Sequence, residues 1–100
     1  MTSSLYRLET TKEADSDIDR VKDYSEPLET KIRRLDALAQ TMLALPGQWK
    51  ICPYYNKEKA IRVSYIGNWY SIFFRVDELE STILVLAILA QSEDLSRLSS

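Results

Sequence analysis

Apolar and polar positions along the first half of the chain change rhythm twice. From Leu5 to Thr10 they alternate, which predicts a short strand with Leu5 or Tyr6 on its inner face. Thr10 followed by Glu13 fits a capping box, so a helix is expected to start near Thr11. Ala14, Ile18, Val21 and Ser25 then recur at helical spacing with Tyr24 beside them, while Asp15, Asp17, Asp19, Arg20, Lys22 and Asp23 make a charged, solvated face. Ser25-Glu26-Pro27 reads as a break and a restart, because proline is tolerated in a first helical turn, where its missing N–H has no partner anyway. Leu28, Ile32, Leu35, Ala39 and Met42, widened by Leu38 and Leu43, form a second stripe that reads as core. Pro46-Gly47 is expected to end that helix just after Ala44. The short link between the helices predicts an antiparallel hairpin.

The second half changes period. Trp49 to Lys59 is the least regular stretch: Cys52-Pro53 argues against a central strand, and Asn56-Lys57-Glu58-Lys59 looks like an exposed turn. Ala60 to Ile66 alternates again, with Ile61, Val63 and Tyr65 on one face and Arg62 and Ser64 on the other; Gly67-Asn68 then signals a tight hairpin turn. The run NWYSIFFRVDELESTILVLAILA, residues 68 to 90, is the most apolar in the chain. A membrane-spanning helix needs about 20 consecutive apolar residues, and Arg75, Asp77, Glu78 and Glu80 interrupt this run. The blocks on either side, Trp69 to Val76 and Thr82 to Ala90, are rich in aromatic and β-branched residues that suit a pleated surface. They predict two strands joined by Asp77 to Ser81. Thr82 to Ala90 is apolar on both faces and so belongs in the middle of the sheet. The expected fold is α+β: an N-terminal strand, a two-helix antiparallel hairpin, then a three-stranded antiparallel sheet, in one domain over residues 1–100.

Composition narrows the chemistry. A chain of 100 residues supports one core. Its single cysteine, Cys52, rules out an internal disulfide and reads as a small apolar filler, in keeping with a reducing cytosol. There is no histidine, so the commonest acid–base side chain and metal ligand is missing. No metal site and no cofactor are expected. The N-terminus has no apolar run behind a basic start, so no signal peptide is read, and a cytoplasmic location without membrane attachment is expected. A net charge of −2 counts against a protein whose main work is gripping phosphates.

Three stretches in this order are similar to the RelE/ParE superfamily of toxins from bacterial type II toxin–antitoxin systems. EADSDIDRVKDYSEP carries the A-x-x-D-[IL]-x-x-[IV]-x-x-Y pattern through Ala14, Asp17, Ile18, Val21 and Tyr24. LDALAQTMLALPGQW resembles the second helix that closes on a Leu-Pro loop. AIRVSYIGNWYSIFFRVDELESTILVLAILAQSEDL resembles the terminal hairpin and the strand after it. The resemblance implies a cognate antitoxin that wraps the toxin, and one of two targets. RelE-like members cut messenger RNA in the ribosomal A site; ParE-like members bind DNA gyrase and trap it on broken DNA.

A ribonuclease without histidine needs clustered Lys and Arg to activate the 2′-hydroxyl and stabilise charge on phosphorus. Laid on the RelE-like pattern, the cationic positions fall on Arg62, Ser64, Ser71 and Ser92, and no tyrosine follows Tyr70. Only one of those four is basic. The ParE-like reading, a non-enzymatic growth inhibitor acting on gyrase, is therefore favoured. The alternatives are a ribosome-dependent messenger RNA nuclease using Arg62, Arg75, Lys57 and Lys59, with the ribosome and mRNA as partners, and a degenerate member without toxicity. No catalytic residue is assigned; Arg62 and Arg75 are the candidates. Arg62, Trp69, Phe73, Arg75, Lys57 and Lys59 are the candidate contacts to target or antitoxin. The bland readings stand beside these: Arg62 as a solvated strand residue, Arg75 as the polar end of a stripe, and the two lysines as turn residues. Trp49, Tyr54 and Tyr55 read either as an aromatic recognition patch or as the floor of a core. The two-faced apolarity of residues 69–90 calls for a cover on the sheet's second side, from an antitoxin or from the tail, Asp94 to Ser100.

Overall fold

The computed structural model describes residues 6–22, 27–90 and Leu98. Expectations that concern Tyr24, Ser25, Ser92 and, apart from Leu98, the C-terminal tail lie outside the described residues. The elements follow in order as β1 (Arg7–Thr10), α1 (Lys12–Lys22), α2 (Leu28–Gln48), a 3₁₀ turn (Trp49–Ile51), β2 (Tyr54–Asn56), β3 (Ile61–Ile66), β4 (Tyr70–Asp77) and β5 (Thr82–Ala90). The strands form one sheet in the order β1-β5-β4-β3-β2. Among the described residues, no helix is long and apolar enough to cross a membrane.

The α+β class holds, but the sheet has five strands where three were expected. Two short outer strands account for the difference: β1, expected as a strand but not as part of the sheet, and β2, which was not expected. β1 pairs parallel to β5, Arg7 opposite Thr82 through Thr10 opposite Val85, which makes the sheet mixed. β2 is an edge strand beside β3, and it begins immediately after Pro53. Proline is compatible with that place because an edge strand need not donate on its outer side.

β5 lies inside the sheet between β1 and β4, with the boundaries its two-faced apolarity predicted, although the middle strand is β4. The β4–β5 register shifts once: Phe73 faces Ala87 while Phe74 faces Val85, so Leu86 has no opposite residue. This bulge separates two cores. Ile72, Phe74, Ile83, Val85 and Ile88 face the helices and join Ala14, Val21, Leu38 and Leu45. Ile61, Val63, Phe73, Ala87 and Leu89 form a second cluster on the other face, where Leu98 is buried with them and Leu86 packs against them. Leu98 shows that the tail contributes to the cover that this face requires.

Several local expectations gave way to packing. Thr11, rather than Thr10, caps α1: its Oγ1 accepts the Ala14 N–H at 3.1 Å. α2 does not stop near Ala44 but runs through Pro46 to Gln48. A proline within a helix removes one intrahelical bond, yet Leu45 and Trp49, one turn apart, are both buried in the core. The Leu45 carbonyl accepts the Trp49 N–H, so burial of this pair carries the helix past its local stop signal. The β3–β4 connection takes three residues rather than two, with Gly67 at φ +53° and the Trp69 N–H bonded to the Ile66 carbonyl at 3.0 Å. Trp69 is therefore in the turn and not in β4. At the next turn the left-handed residue is Ser81, with φ +49°, a position usually given to glycine.

The largest departures concern the helices. Asp17, placed on the solvated face by its charge, is only 2% exposed. Ile32, read as core, is 57% exposed, as are Leu28 at 70% and Leu43 at 73%; Ala39 is exposed as well. In α2 the sheet is instead met by Leu38 and Leu45, with Leu35, Ala37 and Met42 partly buried around them.

Candidate functional site

The chemistry-bearing side chains divide between the two faces of the sheet. Arg62 lies directly opposite Phe74 on β4, and so points to the helical side. Its guanidinium is held between two rings, 4.1 Å from the centre of Tyr54 and 5.2 Å from that of Trp49. It donates to the Cys52 carbonyl at 2.7 Å and to the Tyr54 hydroxyl at 3.0 Å. Arg62 thereby ties the 3₁₀ turn and β2 to β3. Beside it, burial pushes the Cys52 thiol above its ordinary value of 9.0, against smaller downward influences from Ser64 and the Arg62 charge. Arg62→Ala is expected to cost about 1–2 kcal/mol, and Arg62→Lys to recover less than half of it, because an ammonium cannot stack between rings while donating along two directions. Urea denaturation of the two variants measures both.

Arg75 follows Phe74 on β4 and points to the opposite face. Its Nε donates to the Lys59 carbonyl at 2.9 Å, linking the 57–60 turn to the end of the hairpin. Thr11, Glu13, Lys59, Arg75, Leu86 and Leu98 line a groove of about 300 Å³ there. The turn itself is held by the Asn56 side chain, which accepts the Lys59 N–H at 3.1 Å, and by Ala60 at φ +57°. Lys57 is exposed in this turn.

The structure thus brings Lys59 and Arg75 together and sets Arg62 apart, with the thickness of the sheet between them. Phe73 is buried under the second-face cluster, with Tyr55 edge-on at 5.0 Å. Leu98 belongs to the same cluster, so Phe73 presents almost no surface to a partner in this arrangement. Trp69 is half-buried against the helical core, with the Arg34 guanidinium 5.3 Å above its ring. Of the aromatic trio, Trp49 is core, Tyr54 is half of the Arg62 clamp and Tyr55 leans on Phe73. The trio thus packs within the chain, with Trp49 in the core as the second reading had it.

Charge counting missed Asp17, whose role is set by the sheet. β1 covers the outer edge of β5 only as far as Val85, which leaves the backbone beyond it without a neighbouring strand among the described residues. α1 supplies the missing partners. The Thr11 N–H donates to the Val85 carbonyl at 3.0 Å, and the Thr11 hydroxyl to the Leu86 carbonyl at 3.2 Å. The Asp17 carboxylate accepts the Ile88 N–H at 2.9 Å. Arg20 pairs with that carboxylate at 3.2 Å and reaches the Ile88 carbonyl at 3.5 Å. Ala14, fully buried one turn before Asp17, gives the helix its close approach to the sheet. The A-x-x-D pattern is an edge-sealing device.

That device sits inside a longer match. The profile of the ParE toxin of type II toxin–antitoxin systems, the parDE kind, covers residues 8–95. The chain belongs to the ParE toxin family. Solved structures share the fold of this ParE-family chain at low identity. The chromosomal ParDE system of Pseudomonas aeruginosa superposes with a TM-score of 0.72 and 19% identity, covering 88% of this chain and 98% of that one. The toxin–antitoxin complex RelBE2 of Mycobacterium tuberculosis gives 0.66 and 16%, over 88% of this chain and all of that one. An archaeal RelE–RelB complex from Pyrococcus horikoshii gives 0.51 and 14%, over 91% and 100%. No curated protein sequence matches the chain. The protein is a toxin of the ParE/RelE superfamily.

Proposed function

We propose that this ParE-family toxin arrests growth by binding DNA gyrase, without cleaving RNA, and is neutralised by a cognate antitoxin. The observation that carries the proposal is the separation of its two candidate catalytic cations. Arg62 is stacked and hydrogen-bonded on the helical side, whereas Arg75 lies on the other face beside Lys59. A phosphoryl-transfer site needs several cations converging on one phosphate, and loss of one such electrostatic partner typically lowers a rate by about 10²–10³. Ser64 and Ser71 stand where the RelE-like pattern has further cations. A net charge of −2 adds repulsion against ribosomal RNA.

An antitoxin partner is proposed from the relatives, which include the ParDE, RelBE2 and RelE–RelB systems. The groove beside Lys59 and Arg75, with exposed Lys57 next to it, is our assignment for a contact surface of antitoxin or target. Phe73 joins it on displacement of the Leu98 segment. Trp69 and Arg62 offer what they leave exposed on the helical side.

Induction of the protein alone in bacteria tests the reading. Filamentous growth arrest with an induced DNA-damage response is the expected result. Rapid loss of translated messages would favour the nuclease, and undisturbed growth the degenerate member.

A further inference from the structure

The outer face of α2 carries apolar side chains with no cover among the described residues. Leu28, Ile32, Ala39 and Leu43 fall within an arc of about 60° when projected at 3.6 residues per turn. Three of them are large and more than half exposed. The stripe runs from residue 28 to residue 43, about 22 Å along the axis. An isolated exposed leucine needs no explanation, but a continuous apolar stripe rimmed by charges marks a protein-binding surface.

The order of residues in the stripe identifies its occupant. The stripe complements its own reverse, with a large side chain against a small one near its middle and leucine against leucine at its ends. Turned end for end about a dyad near residue 35, Leu28 meets Leu43 of the second copy, and Ile32 meets Ala39. A small residue opposite a large one lets two helix surfaces interlock. The rim follows the same symmetry. Exposed Glu29, Arg33 and Asp36 lie along one side of the stripe and, with Ile32, line a shallow groove of about 460 Å³. The same antiparallel pairing brings Arg33 of each copy toward Asp36 of the other, so the pair forms twice across the dyad. A surface of one sign would instead repel its own copy.

We infer that two copies of this toxin associate through the outer faces of their α2 helices, in an isologous antiparallel pair. The inference is independent of whether gyrase or the ribosome is the target. One helix pair is a small interface beside the roughly 1,600 Å² of standard complexes, so association is expected in the micromolar range or weaker.

Sedimentation equilibrium of the full chain, made by cell-free synthesis and studied across micromolar to millimolar concentration, tests the proposal. A monomer–dimer equilibrium is expected. Leu43→Glu and Ile32→Glu should each abolish it while leaving the thermal midpoint nearly unchanged, since both side chains already face solvent. Arg33→Asp should weaken the dimer about tenfold, and adding Asp36→Arg should restore it to within about threefold. That rescue separates a specific pairing from general stickiness. A chain that stays monomeric at every concentration overturns the proposal. So does a dimer indifferent to Leu43→Glu and to the charge exchange, which would place the contact elsewhere. Loss of antitoxin binding on Leu43→Glu, in a protein that never dimerises, would assign the stripe to the antitoxin instead.

Discussion

Phe74→Ala is expected to destabilise the protein by about 3–5 kcal/mol, a large part of the total stability of a domain this size. Phe74 is fully buried at the centre of the helix-facing core, among Ile72, Val85 and the side chains of both helices. No described element can collapse into the space its ring would leave, because the sheet and the helices are each fixed by other contacts. The neighbouring residue supplies the control. Phe73 is also buried, but it belongs to the second-face cluster, where the described cover is Leu98 with Tyr55 against its ring. The described cover over Phe73 is a few side chains rather than a layer of helices, so Phe73→Ala should cost less than Phe74→Ala. Chemical denaturation curves, compared at unchanged slope, measure the difference.

Asp17→Ala should cost about 2–3 kcal/mol, an effect that a solvated acidic residue on a charged helix would not produce. The substitution leaves the Ile88 N–H buried without its acceptor and deprives Arg20 of its ion pair. The exposure of Arg20 to solvent limits the second loss. Asp17→Asn keeps an acceptor for the N–H and should recover roughly half of the cost. Hydrogen exchange gives a readout that general destabilisation does not. The Ile88 amide should lose protection selectively in Asp17→Ala, ahead of amides paired between β4 and the first half of β5.

These two residues show what the sequence made legible. β4 and β5 were readable because their side chains are apolar on both faces, which suits interior strands covered on both sides. The Gly67 turn and the irregular run before β3 were readable from residue chemistry alone. The outer strands were legible only in part. Alternation marks β1 as a strand, but nothing local shows that it joins the sheet beside β5; β2 has three residues, too few for any period to stand out, and follows a proline. The end of α2 was hidden because Pro46 is a local signal, while Leu45 and Trp49 hold the turn through tertiary burial. Asp17 was misplaced on the solvated face because its reason for being buried is an unpaired N–H on a strand 71 residues away. The second apolar stripe of α2 was overread as core, since periodicity reports an apolar face but not what covers it.

The candidate site was legible in the same uneven way. Alternation along β3 and β4 already separates Arg62 from Arg75, once Arg62 is known to lie opposite Phe74. What no pattern revealed is that Arg62 is consumed in joining Trp49, Tyr54 and Cys52, which leaves Lys59 and Arg75 as neighbours on the far side.

Purified gyrase incubated with the toxin, supercoiled DNA and ATP tests the central claim most directly. Enzyme-linked cleaved DNA should accumulate with toxin concentration and disappear when the cognate antitoxin is added first. Unimpaired supercoiling, together with messages cut on ribosomes carrying the same toxin, would contradict it.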